Sequence, residues 1–350
     1  MEFTKYDIRE GSTLESIAKE NGVSVKELID FHNSKVPLTQ QIHSDYIPLH
    51  IKAIMLKPEL QKSGQLTKQI EVDFSKIILG FKKQAQYKVE IATSLFFLGK
   101  PISENKIESI WAVDYDQTSN TVQIEVLGKK NIKIDGQIKP LLEVVEKINK
   151  TTEFLHLQLN PDKTVKDVLN VKQLLEKWEN IKFDELKSLE LEDDYFKVII
   201  KAYDEEFTNL SKSLQMNILY QIFFYPQGAI KIPMHKSTLL AENKKTMSQL
   251  FPQQHIHYDL NYRSKVLEDE IQVACTASPA KNWKSDLLQG EYKKNYAQLI
   301  PDHFHFDYVL EGKYIYDSQG VLRQCKNYIK EQANDKLFYI GEYNITLLEE

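Results

Sequence analysis

Two hydrophobic periods alternate along the first fifty residues. Phe3 to Ile8 alternates weakly and stops at Arg9-Glu10-Gly11, which predicts a strand and a turn. Ser12-Thr13-Leu14-Glu15 has capping-box spacing, with Leu14, Ile17 and Ala18 on one helical face and Asn21-Gly22 as the stop. Ser24-Val25-Lys26-Glu27 repeats the box, and Val23 and Leu28 are spaced for a hydrophobic staple. Asn33 ends this second helix, and Tyr46-Ile47-Pro48-Leu49 reads as a short closing strand.

Beyond it, residues 51–68 show no sustained period and contain Lys57-Pro58 and Ser63-Gly64, so they read as a linker. Strand-like alternation follows over 69–165, with Asp116 to Asn120 as a hairpin loop and Leu155, Leu157 and Leu159 on one face. The period then lengthens. Asn170 is placed to cap a helix carrying Leu174, Leu175 and Trp178, and further helices fit 193–207 and 209–224 within a helical stretch, 170–225. Alternation returns over 255–350, where Asp317-Ser318-Gln319-Gly320 and Asn334-Asp335 separate three long strands. The expected fold class is α+β: an N-terminal βααβ module over 1–50, then a 69–350 body of antiparallel sheets packed on a helical middle.

The opening segment resembles the LysM family. The resemblance rests on Tyr6-Asp7-Ile8-Arg9-Glu10-Gly11-Ser12-Thr13-Leu14, on Gly22-Val23-Ser24-Val25-Lys26-Glu27-Leu28, on Asn33 and on Ile47-Pro48. It implies a small βααβ module of a kind that often binds N-acetylglucosamine glycans, above all peptidoglycan. The implied groove has Gly11, Ser12, Thr13 and Leu14 on one side and the segment from Asn33 to Tyr46, with Ile42, on the other. Where the family usually has a Pro-Gly-Gln-like turn, this chain has Ile42-His43-Ser44-Asp45. The resemblance also implies a second use, since LysM modules serve as docking modules in contractile phage tails and related injection machines.

Composition narrows the choice. Among 350 residues, 42% are apolar and 11% aromatic, enough for packed cores. A net charge of −5 with only scattered lysine doublets argues against a nucleic-acid partner. No stretch approaches the ~18 apolar residues of a membrane helix, and the N-terminus has no basic-then-apolar leader, so a cytoplasmic location is expected. Two cysteines, Cys275 and Cys325, make no disulfide framework. His255-x-His257 and His303-x-His305 could each present two imidazoles from one strand face to a metal, if their strands are neighbours. Hydrolase and nucleotide-binding motifs are absent. The expectation is a non-enzymatic adaptor without a cofactor, docking a protein partner in a larger assembly such as a secretion or phage-tail-like apparatus. The alternatives are a peptidoglycan binder and a metal-dependent hydrolase using the paired histidines.

Overall fold

A computed structural model describes residues 4–8, 12–21, 23–37, 40–42, 47, 51–57, 74–133, 139–187, 194–267, 270–300 and 303–348. The chain divides into two units, Met1–Glu71 and Val72–Glu350.

In the first unit, β1 (Thr4–Asp7), α1 (Leu14–Glu20), α2 (Val25–Asn33) and β2 (Ala53–Leu56) follow in order. β1 and β2 pair antiparallel, Thr4 opposite Leu56 and Asp7 opposite Ala53. The paired strand is thus Ala53–Leu56, inside the stretch expected to be linker, while Tyr46, Pro48 and Leu49 lie outside the described residues. Helix α2 starts as its sequence predicts, with Ser24 and Glu27 exchanging bonds. Helix α1 starts one residue later than expected: the cap is Thr13, whose hydroxyl accepts from Ser16 N–H while Ser16 Oγ accepts from Thr13 N–H. A serine hydroxyl closes the box as well as Glu15 would, so the spacing admits both registers. Leu14, Ile17, Ala18, Leu28, Ile42 and Ile54 form the core of this unit.

The second unit is built around strands β3 (Gln84–Phe97), β4 (Lys100–Asp116), β5 (Thr121–Lys133), β6 (Phe154–Leu159), β7 (Val165–Val168), β8 (Met234–Met247), β9 (His255–Leu267), β10 (Glu270–Pro279), β11 (Asp307–Asp317), β12 (Leu322–Asn334) and β13 (Leu337–Leu348). They form one eleven-stranded sheet in the order β7-β6-β5-β4-β3-β13-β12-β11-β10-β9-β8. Every neighbouring pair in it is antiparallel. This corrects the α+β expectation: strand outweighs helix, 47% to 29%, and the separate sheets are one. Period-2 alternation tells each strand which face is buried but not which strand lies beside it. The pairing of β13 with β3, which puts Ile345 opposite Val89 and Tyr339 opposite Leu95, fuses the early and late strand groups.

Helices cover one face of that sheet. They are α3 (Lys139–Asn149), α4 (Val171–Ile181), α5 (Asp194–Thr208), α6 (Leu210–Met216), α7 (Ile218–Phe223) and α8 (Asp286–Asn295). The single helix expected over 209–224 is two, because Asn217 leaves the helical conformation and its side chain accepts from Leu219 N–H as a new cap. Trp178, Phe207, Phe223, Phe224 and Tyr292 from the helical side meet Tyr87, Trp111, Tyr314 and Tyr316 from the sheet in one core. The alternate residues of β9 to β13 point to the opposite face, where side chains are exposed or half-buried, the pattern of an antiparallel sheet with one solvated side.

Candidate functional site

In the first unit the expected groove residues divide into four groups. Gly11 and Tyr46 lie outside the described residues. Leu14 and Ile42 are core, 0% and 1% exposed, so neither presents a side chain to a ligand. Asn33 is committed to its own loop: its Nδ2 donates to Ile42 O at 2.9 Å, and its Oδ1 accepts from Ile42 N–H at 2.8 Å. Thr13 is exposed but its hydroxyl caps α1, and Ser12 is half-exposed beside it. His32 ties the same region together from inside. Its Nδ1 accepts from Met55 N–H at 3.1 Å, so Nε2 carries the proton and donates to Gln40 O at 3.0 Å. Burial holds its pKa below the ordinary histidine value.

The paired histidines do not converge. His255 and His257 sit on β9, His303 and His305 precede β11, and β10 runs between those strands. His257 is occupied otherwise, with Nδ1 at 2.7 Å from Asn243 Oδ1 and its ring stacked on Trp283 at 5.7 Å. Burial, then Lys245, lowers the pKa of both His255 and His257. Among the described residues, no group of three or more His, Cys, Asp or Glu side chains is arranged to hold a metal. Cys275 and Cys325 are both buried, and burial raises the Cys275 thiol to about 12.

A recess of about 750 Å³ lies at the centre of the eleven-stranded sheet. Short side chains, Ala92, Ala274 and Thr276, lie low among long ones. Two neighbouring rungs of the sheet carry its chemistry. Along one, register places Arg263, Ala274, Lys313, Lys326, Asn344 and Glu90 side by side across β9, β10, β11, β12, β13 and β3. Along the next run Asn261, Thr276, Glu311, Tyr328, Glu342 and Ala92. Lys313 therefore stands directly opposite Lys326, a like-charge pair that disfavours the unliganded sheet. Among the described residues, Arg263, Lys313, Lys326, Glu311 and Glu342 form no ion pair within 4.0 Å. Glu90 is different: Lys88 lies 3.2 Å away and Asn344 donates to it at 2.8 Å, and these bonds hold its pKa down against burial. Between the two free glutamates, the Tyr328 phenol is pushed up by burial, then by Glu342 and Glu311.

None of these five charged residues is marked by a local motif. Each occupies an ordinary outward position on its own strand, and only the pairing register assembles them. The one trace in the sequence is Glu311-x-Lys313, which puts opposite charges on one strand face.

A buried carboxyl on the helical face is equally hidden. Glu331 on β12 is 0% exposed, accepts from Ser248 Oγ and, at 2.7 Å, from Gln249 N–H, and so pins the loop between β8 and β9. Burial raises its pKa to about 7, against the opposing pull of those bonds.

No protein-family profile and no curated protein sequence matches the chain. Among solved structures, an outer-membrane channel from Pseudomonas putida F1 aligns with 79% of this chain and 100% of its own, at 7% identity and a TM-score of 0.16. That likeness is too slight to bear on fold or function. No helix among the described residues is long and apolar enough to cross a membrane, which says nothing of a β-barrel.

Proposed function

We propose that this protein is a non-enzymatic adaptor whose sheet body grips an extended segment of a protein partner in the central recess. The observation that carries this reading is the pair of oppositely charged rungs across β9 to β13, Arg263–Lys313–Lys326 beside Glu311–Glu342, which form no ion pair among the described residues in a recess of about 750 Å³. The rungs are two residues apart along each strand, about 7 Å. Side chains i and i+2 of an extended peptide have the same spacing and the same facing. A segment laid along β11 and β12, with an acidic side chain over Lys313 and Lys326 and a basic one two positions on over Glu311 and Glu342, would neutralise both rungs. Charge pairing in such a concavity gives orientation and rapid capture, which suits an adaptor. The first unit serves in this reading as a docking module of the kind its LysM resemblance implies. Glycan recognition by it is not favoured, because Leu14, Ile42 and Asn33 are spent on its own core and loop.

The test uses the full chain and fluorescein-labelled peptides of alternating sequence, one set acidic-x-basic and one with the charges exchanged for glutamine. Fluorescence polarisation should show saturable, salt-sensitive binding of the charged set alone, lost in Lys313→Glu/Lys326→Glu. Equal binding of both sets, or binding that survives the double reversal, would remove the recess as the docking site.

A further inference from the structure

A second concavity lies beside a buried cation, Lys163. Residues Asn160 to Lys163 form the turn between β6 and β7, closed by Lys163 N–H to Asn160 O at 2.9 Å and Asn160 N–H to Thr164 O at 2.8 Å. Lys163 takes φ of +73° there, a left-handed conformation in which glycine or asparagine is at ease and lysine is not. Its side chain is nevertheless 8% exposed, folded inward rather than released to water. The Nζ donates to Tyr115 Oη at 2.6 Å and to Asn120 Oδ1 at 2.9 Å, and lies 5.2 Å from the Tyr115 ring centroid. Asn120 is itself left-handed, at φ +54°, and its Nδ2 donates to Leu159 O and Asn160 O, so the two turns lock each other.

Those acceptors are neutral. An ammonium has three protons to donate, and two are used. Among the described residues no carboxylate forms an ion pair with Lys163. Burying a charge without a counter-charge is costly, and a hydrophobic or amide side chain would fill the same corner more cheaply. Beside it lies a cavity of about 380 Å³, lined by Lys76, Gly80, Phe81, Gln117, Lys163 and Gly320 among others, with no aspartate or glutamate in its wall among the described residues. Its far wall is fixed. Gly80 N–H donates to Gly320 O and Leu322 N–H to Gly80 O, both at 2.9 Å, and a Cβ on Gly320 would come within 2.7 Å of Ile78 O.

We propose that this cavity binds the oxyanion of a small molecule, a phosphate or carboxylate group, with the Lys163 ammonium as its counter-charge and the remaining space taking the ligand's body. The strained turn, the buried ammonium and the carboxylate-free wall all then have one reason. The site is independent of the recess on the open sheet face.

The experiment titrates inorganic phosphate, and separately acetate, into the full chain at constant ionic strength set with chloride. Binding is followed by calorimetry and by the ¹³Cε signals of labelled lysines, with Lys163 assigned through Lys163→Arg. The expected result is a saturable shift of the Lys163 signal, with affinity at least tenfold weaker in Lys163→Met. Response to phosphate alone, to acetate alone or to both supports the site and tells which oxyanion it prefers. A Lys163 signal in the wild-type chain that moves with neither anion overturns it, whatever the folding of the variants, and leaves Lys163 as a tie between two turns.

Discussion

Replacing Glu331 with glutamine should change the pH dependence of the sheet body's stability more than its stability at any one pH. In the folded chain this carboxyl has a pKa of about 7, against an ordinary value of 4.5. A raised folded-state pKa means that the group's contribution is full below the unfolded value and is lost as pH rises through about 7. At about 1.4 kcal/mol for each tenfold change in a proton equilibrium, the gap between those two values corresponds to about 3 kcal/mol. Glutamine keeps the shape and cannot ionise. Urea unfolding at pH 5, 6, 7 and 8 measures this, with tryptophan fluorescence as the signal, because all three tryptophans, Trp111, Trp178 and Trp283, belong to the sheet body. At pH 5 the variant should equal the wild type or fall slightly below it. By pH 8 the difference should have swung toward the variant by about 2–3 kcal/mol, since part of the change already lies below pH 5. Glu206, also raised, and His255 and His257, both lowered, titrate in both proteins and cancel in the difference. A difference that stays within about 1 kcal/mol of its pH 5 value would refute the reasoning, since even a tenfold change in the carboxyl's proton affinity amounts to more than that.

The other predictions concern separate parts of the molecule. Phe223 is 0% exposed and packs its ring 4.9 Å from Phe81, 5.4 Å from Tyr87 and 5.5 Å from Trp111, so Phe223→Ala should lower stability by about 3–5 kcal/mol in urea. A loss below about 1 kcal/mol would mean that the aromatic cluster is not closely packed. In the first unit, imidazole ¹⁵N shifts should show His32 neutral with its proton on Nε2. Because its folded pKa is lowered, protection of the Met55 amide should be full above the ordinary histidine value of ~6.5 and fall as pH drops below it; pH-independent protection would contradict this. On the open face, Lys326→Glu should raise the stability of the free protein by roughly 0.2–1 kcal/mol by removing the clash with Lys313, while weakening capture of the charged peptide. Loss of both stability and binding would point instead to a structural role for Lys326.

What the sequence reveals follows the range of the interactions. The Ser24–Glu27 cap is decided within four residues, and α2 begins where its spacing puts it. The three late strands alternate strongly, and Asp317 completes their first turn by accepting from Gln319 and Val321 N–H, which is local chemistry too. Strand β8 leaves no such trace: most of its residues are at least half-exposed and its pairing with β9 shifts register three times, so the period is broken. Helix α3 likewise has no counterpart among the expected elements. Of the recess only the Glu311-x-Lys313 spacing is readable, because Arg263, Lys313 and Lys326 become neighbours only through the register of four strands. The histidine pairs show the converse error. The i, i+2 spacing is a property of one strand at a time, whereas the strand that intervenes between β9 and β11 is a fact of topology.

The position of β13 bears on how the molecule is made. It is synthesised after the other ten strands, yet it takes the sixth place of eleven, the middle of the sheet's width. A ribosome therefore releases two half-sheets, each with a long unpaired border, β3 on one and β12 on the other, before the piece that joins them exists. Until then both borders can template pairing with other chains, and the joining contacts, such as Asn344 with Glu90 across 254 residues, are slow to find. Deleting a terminal strand from most sheets trims an edge; here it would split the sheet through its middle, leaving the halves joined by the helical layer and the bonds of Gly80 to Gly320 and Leu322. A nascent chain stalled short of residue 337 should engage chaperones heavily, and one extended past residue 348 should not.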